Sequence, residues 1–142
     1  MTGFHRYLGA AIVGMFVVLF VWGVVLRVLR RDEASAGIWS LQHWTENLLV
    51  VQTVTGLVLL LLGRRVVSAH DPAVWLHYLY GSLFPLIAII GGRIAGLRRE
   101  HREYMGITWG AFFAFGLTLR ALQTGCAHIG EDLGSMARCL GL

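Results

Sequence analysis

Two histidines share a local pattern that suits metal ligation. His5 and His77 are each followed four residues later by a glycine, Gly9 and Gly81 respectively. In a helix, residues i and i+4 lie on the same face, one turn apart. A glycine at i+4 leaves room for a flat macrocycle to lie against the backbone beneath an axial imidazole. The pattern therefore predicts that His5 and His77 are the two axial ligands of one heme b iron.

Two arginines and a proline accompany these histidines. Arg6 and Arg120 lie toward the helix ends predicted to carry His5 and His77. Guanidinium groups form charge-assisted hydrogen bonds with carboxylates, so both arginines are predicted to bind heme propionates. Pro85 lacks the amide that would bond to the carbonyl of Gly81, which predicts a loosened helix just beyond His77.

A second interpretation needs no cofactor. Histidines near a membrane surface often hydrogen-bond to water, headgroups or carbonyls, and glycines are common where helices pack closely. Trp75, Tyr78 and Tyr80 around His77 are also typical of an interfacial aromatic belt. On this interpretation the chain is a heme-free accessory or structural subunit that packs against a larger membrane protein complex. Both hypotheses stay open.

The composition indicates what must position these residues. Of the 142 residues, 56% are hydrophobic and 14% are charged, against about 45–50% and about 25% in ordinary globular domains. A soluble domain of this length could not bury so much apolar surface, so the expected solvent is lipid. Disulfide-stapled secreted folds, disordered tails and nucleic-acid-binding modules are excluded.

Four apolar segments are long enough to cross a bilayer, at about 7–26, 41–62, 73–92 and 104–122. Each is far longer than the roughly 10 residues of a membrane β-strand, so helices are predicted. Short connectors make successive helices antiparallel. The expected fold is an all-α, integral membrane four-helix bundle that forms one domain over residues 1–142, with a tail at 123–142.

Arginine counts predict the orientation, because cytoplasmic connectors carry an excess of basic residues. Seven arginines lie on one side and five on the other. The larger set is Arg27, Arg30, Arg31, Arg93, Arg98, Arg99 and Arg102, and the smaller set is Arg6, Arg64, Arg65, Arg120 and Arg138. This bias places both termini and the C-terminal tail on the outer side.

Polar residues at the inner ends allow two interpretations. His43 and Glu46 lie three residues apart, and with His101 or an arginine they would form a proton or quinone-headgroup site. Alternatively, Ser40 caps the second helix and Glu46 is stabilised near its positive end. The second interpretation is favoured.

Small and sulfur-containing residues predict contacts. Gln52 with Gly56 is expected to contact a neighbouring helix, and Gly106, Gly110 and Gly116 are expected to let the fourth helix pack closely. Cys126 and Cys139 in the tail form a disulfide or remain two free thiols. A redox-active pair is disfavoured because the chain has no Cys-x-x-Cys motif.

Three motifs together resemble a known family. His-Arg-x-x-Gly at residues 5–9, VQTVTGL at 51–57 and Leu-His at 76–77 are similar to one four-helix half of heme A synthase, over about residues 5–92. That family has two such halves, each with paired histidines toward the outer membrane face. The resemblance implies that His5 and His77 correspond to the paired heme histidines, and it agrees with outer termini.

The predicted function is that of a small membrane protein similar to a b-type cytochrome. It would bind heme between two histidines and transfer electrons, as a subunit of a respiratory or related redox complex. The expected location is a bacterial inner (plasma) membrane, with several passes. Expected partners are the lipid bilayer, other membrane subunits and a quinone or cytochrome, with no nucleic acid.

Overall fold

The structure is a computed structural model that describes residues 2–64, 75–98 and 102–126. Within these ranges the chain is all-helical and contains no strand. The prediction of an all-α chain is confirmed for this part of the molecule. Residues of the predicted tail beyond Cys126 lie outside the described residues.

Four helices account for almost all of the described chain. They are α1 (Thr2–Val28), α2 (Ala36–Leu61), α3 (Leu76–Leu97) and α4 (Tyr104–Cys126). At about 1.5 Å per residue each is roughly 33 to 40 Å long. All four are long and apolar enough to cross a membrane. Each extends beyond its predicted apolar segment at one end or both, because helical hydrogen bonding continues into the polar flanks.

The helices form a four-cornered bundle. Each helix packs on its neighbour in sequence, and α4 closes the ring by packing on α1. Consequently α1 and α3 lie at opposite corners. The contact between α3 and α4 is the densest and that between α2 and α3 the sparsest. The buried core draws on all four helices, with Phe16, Leu49, Ile89, Ile107 and Ala111 among its members.

The third helix is irregular next to His77. It runs as α-helix over Leu76–Tyr78, as π-helix over Leu79–Leu83 and again as α-helix over Phe84–Leu97. The Phe84 amide donates to the carbonyl of Leu79, five residues earlier. Pro85 has no amide to donate, so regular helical hydrogen bonding to the carbonyl of Gly81 cannot continue. The predicted loosening at Pro85 is confirmed, and it takes the form of a π turn, a feature frequent at functional sites.

Glycines bring α3 and α4 into backbone contact. A Cβ atom at Gly92 would lie 2.5 Å from the carbonyl oxygen of Gly106, and one at Gly110 would lie 2.8 Å from the carbonyl oxygen of Ala88. The predicted close packing at Gly106 and Gly110 is therefore confirmed. The same prediction for Gly116 is wrong, because that glycine is exposed and a Cβ there would meet nothing within 4 Å.

Two hydrogen bonds tie the α1–α2 connector to the start of α4. The hydroxyl of Tyr104, a fully buried residue, donates to the carbonyl of Arg31 at 2.9 Å. The Arg102 amide donates to the carbonyl of Asp32 at 2.8 Å. These contacts fix the end of the bundle that lies opposite His5 and His77.

The start of α2 differs from the prediction. The helix begins at Ala36, with Ser35 at the capping position and no side-chain capping bond. Ser40 is an exposed residue inside the helix, so its predicted role as cap is wrong. The polar sequence before the apolar run is helical because its amphipathic pattern buries Ile38 and Gln42 against the bundle.

Candidate functional site

His5 and His77 meet at one end of the bundle. His5 lies near the start of α1 and His77 near the start of α3, and the two imidazoles are close enough to interact electrostatically. Both residues lie at the same end of the bundle, on helices at opposite corners. The described part of the chain contains no group of three or more His, Cys, Asp or Glu able to hold a metal. The arrangement is therefore one of two histidines.

The ring of His77 is held by the last turns of α4. Its Nδ1 atom lies 2.8 Å from the carbonyl oxygen of Ala121. A carbonyl oxygen only accepts, so Nδ1 carries the hydrogen and Nε2 keeps its lone pair. The hydroxyl of Thr124 lies 3.4 Å from the same Nδ1 atom. A histidine whose Nδ1–H donates to a backbone carbonyl is the usual form of a metal-ligating histidine.

The ring of His5 is held by α2. The Gln52 side-chain amide donates to Nε2 of His5 across 3.4 Å. Gly56, one turn further along α2, also lies against the ring, and a Cβ atom there would lie 3.1 Å from Cε1 of His5. The predicted helix contact of Gln52 and Gly56 is thus confirmed, and its partner is His5.

Two polar atoms of the contacting residues His5 and Gln52 lack hydrogen-bond partners. In the described part of the chain, the buried side-chain atoms in this state are Nδ1 of His5, Oε1 of Gln52 and Oε1 of Gln42. Leaving a buried polar atom unpaired costs about 1–3 kcal/mol, and native structures contain few of them. Two such atoms lie on one contacting pair, next to a second histidine that keeps an imidazole lone pair. Because Gln52 donates to Nε2 of His5, the hydrogen of that imidazole is on Nδ1 and no lone pair remains for iron. If the Gln52 amide turned so that Oε1 accepted from Nε2–H, both unpaired atoms would be accounted for and the Nδ1 lone pair would become free. In that arrangement the donor set fits an axial pair for heme iron.

The glycines beside the rings differ from the two expected. A Cβ atom at Gly9 would lie 3.0 Å from Nε2 of Gln52, and one at Gly81 would lie 3.5 Å from Cβ of Ala121. Gly9 therefore admits the Gln52 side chain, and Gly81 packs on α4. The glycines against the imidazoles come from neighbouring helices: Gly56 for His5 and Gly125 for His77, each at 3.1 Å from Cε1.

Arg6 and Arg120 both lie at the histidine end. Arg6 is half-buried and engaged in an interaction of its own. Arg120 is exposed, and its Nη1 atom lies 3.5 Å from Oε1 of Gln123. Both arginines therefore lie at the end of the bundle that holds His5 and His77. Their binding to heme propionates stays a prediction.

Among the described residues, the remaining histidine is His43 and the cysteine is Cys126. His43 is exposed, and its Nε2 accepts from the Asn47 amide at 3.1 Å. Cys126 is disulfide-bonded. His101 and Cys139, which the sequence analysis considered, lie outside the described residues, as do His70 and His128.

A second polar cluster lies in the other half of the bundle. Glu46 accepts from Arg93 at 2.7 Å through Oε2 and from Gln42 at 3.1 Å through Oε1. Glu46 lies ten residues beyond the start of α2, too far for the terminal dipole to act on it. The favoured interpretation of Glu46 is therefore wrong. An arginine is its partner, and His43 does not take part.

The supporting residues of the histidine pair were not predicted in these roles. Gln52 was expected only at a helix contact, and Ala121, Thr124 and Gly125 were assigned no role. One signal was present: in an antiparallel bundle with short connectors, the end of α4 lies at the same level as the start of α3. The backbone carbonyl of Ala121 carries no sequence signature, so no residue pattern could have identified it.

Comparison of the chain with protein-family models, with curated proteins and with solved structures finds no match in any of the three. The site geometry therefore carries the functional argument.

Proposed function

We propose that this chain is a multi-pass membrane protein that binds heme b between His5 and His77 and transfers electrons. One observation carries the proposal: two half-buried histidines lie at the same end of the bundle, and the Nδ1–H of His77 donates to a backbone carbonyl. That hydrogen bond leaves Nε2 of His77 free to ligate. On His5, the buried and unpartnered Nδ1 would be the ligating atom once the Gln52 amide oxygen accepts from Nε2–H.

The residues of the chain have distinct roles in this proposal. His5 and His77 would hold the iron, and Arg6 and Arg120 would bind the propionates. Heme iron held by two histidines exchanges one electron at a time. Ala121, Thr124 and Gln52 would keep the two imidazoles in place, so that little rearrangement accompanies each electron transfer.

Bilayer insertion is part of the same proposal. The outer faces of the helices carry large apolar side chains, and Val54, Leu57 and Leu61 are each more than half exposed. Such a surface would be costly in water and is normal against lipid. We infer a bacterial inner membrane, outer termini and a place in a respiratory or related redox complex. A quinone or cytochrome would be the electron partner.

The visible absorption spectrum of the detergent-purified protein tests the proposal. We expect a Soret band and, after dithionite reduction, sharp α and β bands. His5→Ala and His77→Ala should each abolish the sharp reduced bands, since each removes one axial ligand. His43→Ala is the matched control, because this histidine is exposed and belongs to α2 away from the pair.

A flat spectrum from folded protein, even after heme is supplied, would show the heme proposal to be wrong. The chain would then be better described as a heme-free accessory subunit. Intact bands in His77→Ala would contradict the ligand assignment while leaving heme binding in place.

A further inference from the structure

We propose that Gln42, Glu46 and Arg93 form a binding site for the headgroup of a lipid-soluble hydroquinone. The three residues are called the α2–α3 polar cluster below. Its use as an electron-donor site rests on the proposed function, because a hydroquinone needs an electron acceptor. Binding of the headgroup is a separate property of the cluster.

The charged pair lies well inside two apolar helices. Glu46 is ten residues from the start of α2, and Arg93 is four residues from the end of α3. Their side chains are 12% and 42% exposed, with 2.7 Å between Oε2 and Nη1. Ionisable groups at this depth are costly in a membrane protein and commonly mark sites for a ligand, an ion or a proton.

Gln42 supplies an independent sign of a ligand. Its residue is 1% exposed, and its amide nitrogen donates to Oε1 of Glu46 at 3.1 Å and toward the carbonyl of Ile89 at 3.5 Å. Its Oε1 atom is buried and has no hydrogen-bond partner. The cluster therefore contains a buried, unpartnered acceptor that requires a donor.

The position of the cluster gives a route for a lipid-soluble molecule. Glu46 comes from α2 and Arg93 from α3, and these two neighbouring helices have the sparsest contact in the bundle. The half-exposed Arg93 side chain lies on the outside of this seam. A molecule dissolved in the bilayer would reach Arg93 first and then Glu46 and Gln42.

The mixture of groups selects the chemistry of the ligand. An anionic headgroup would meet the Glu46 carboxylate and the Gln42 carbonyl, both of which only accept. A cationic headgroup would meet Arg93. A neutral hydroxyl suits the cluster, because its one hydrogen can be donated to the spare Gln42 oxygen while its own oxygen accepts from the Arg93 guanidinium. A ring with hydroxyls on opposite sides, attached to an apolar tail, combines these properties.

Binding of a decyl benzohydroquinone to the full-length protein in detergent tests this proposal. Titrations are run anaerobically and followed by isothermal titration calorimetry, and heme content is measured separately by absorption. We expect saturable binding by the unmodified protein. Gln42→Leu removes the spare acceptor at similar size and should weaken binding about tenfold, the usual effect of losing one buried hydrogen bond.

His43→Leu is the matched control, since it changes the adjacent exposed residue at the same depth and should leave affinity unchanged. If Gln42→Leu does not fold, Glu46→Gln serves instead, because it keeps the shape and removes the charge, and it should also weaken binding. Equal affinity of the unmodified and altered proteins for the hydroquinone would overturn the proposal. Displacement of the hydroquinone by an equal amount of decanol, which has the tail without the ring, would also overturn it. Because heme content is measured separately, loss of hydroquinone binding can be distinguished from loss of heme binding.

Discussion

Each imidazole of the histidine pair depends on a residue from another helix. His77 is oriented by a backbone carbonyl, which no side-chain substitution removes, whereas His5 is oriented by the Gln52 side chain. A glycine of the same neighbouring helix also lies against each ring, Gly125 for His77 and Gly56 for His5. The positions of the two ligands are therefore sensitive to the size of residues that cannot themselves bind a metal.

Gly56→Val should impair the site through His5. A Cβ atom at this position would already lie 3.1 Å from Cε1 of His5, and two further methyl groups would displace the ring. We expect about tenfold or more weaker heme retention, the scale of losses when support around a metal ligand is removed. Reduced α-band absorbance per protein, measured during heme titration, gives the result.

Gly14→Val is the control for this substitution, because a Cβ atom there would meet nothing within 4 Å. It should leave heme retention unchanged. Full retention by Gly56→Val would mean that the observed position of His5 is not the one used for ligation.

The sequence was sufficient to select the two histidines and the end of the bundle where they meet. Their spacing from glycine predicted an open surface beneath each ring, but Gly9 and Gly81 face Gln52 and Ala121 instead. Which residue lies against a ring depends on the rotation of each helix about its axis. That rotation is set by packing across the bundle and is not encoded in the spacing along one helix.

At the level of helices, α3 and α4 come closest where Gly92 and Gly96 meet Gly106 and Gly110, a contact called the glycine crossing below. Gly106→Leu would place a side chain against the backbone of Gly92 and Gly96. We expect a loss of about 1–3 kcal/mol in the free energy of unfolding, typical of overpacking, with more if the helices separate. Unfolding in detergent, followed by circular dichroism, measures it.

Gly116→Leu provides the comparison on the same helix, since Gly116 is exposed and unobstructed. It should change the free energy of unfolding by no more than about 0.5 kcal/mol. Equal effects of the two leucines would show that the crossing does not limit stability.

Element type was predictable and element detail was not. Long apolar segments define four helices, and Pro85 correctly indicates an irregular third helix. The partner of Glu46 was left undecided, because Arg93 is 47 residues away along the chain and several arginines were available. A buried charge requires a partner, but only the packing of α2 on α3 selects which one.

For the whole molecule, the two polar sites lie in different halves of one bundle. The histidine pair occupies the end that holds the start of α1, and the α2–α3 polar cluster lies toward the other end. The hydrogen bond from Tyr104 to the carbonyl of Arg31 closes that second end. In a membrane, this arrangement would let a lipid-soluble donor and the heme approach from different depths.

The direction of insertion decides which compartment each site faces, and a pair of single cysteines tests it. Glu33→Cys lies in the α1–α2 connector and Arg64→Cys just after α2, and both positions are exposed. Neither change opposes the predicted orientation, because acidic residues contribute little to it and removing an outer arginine reinforces it.

With outer termini, a membrane-impermeant maleimide should label Arg64→Cys in intact cells. It should label Glu33→Cys only after permeabilisation, with the unmodified protein as the background. The reverse pattern would place the histidine pair at the cytoplasmic side, and labelling of both in intact cells would contradict a spanning topology.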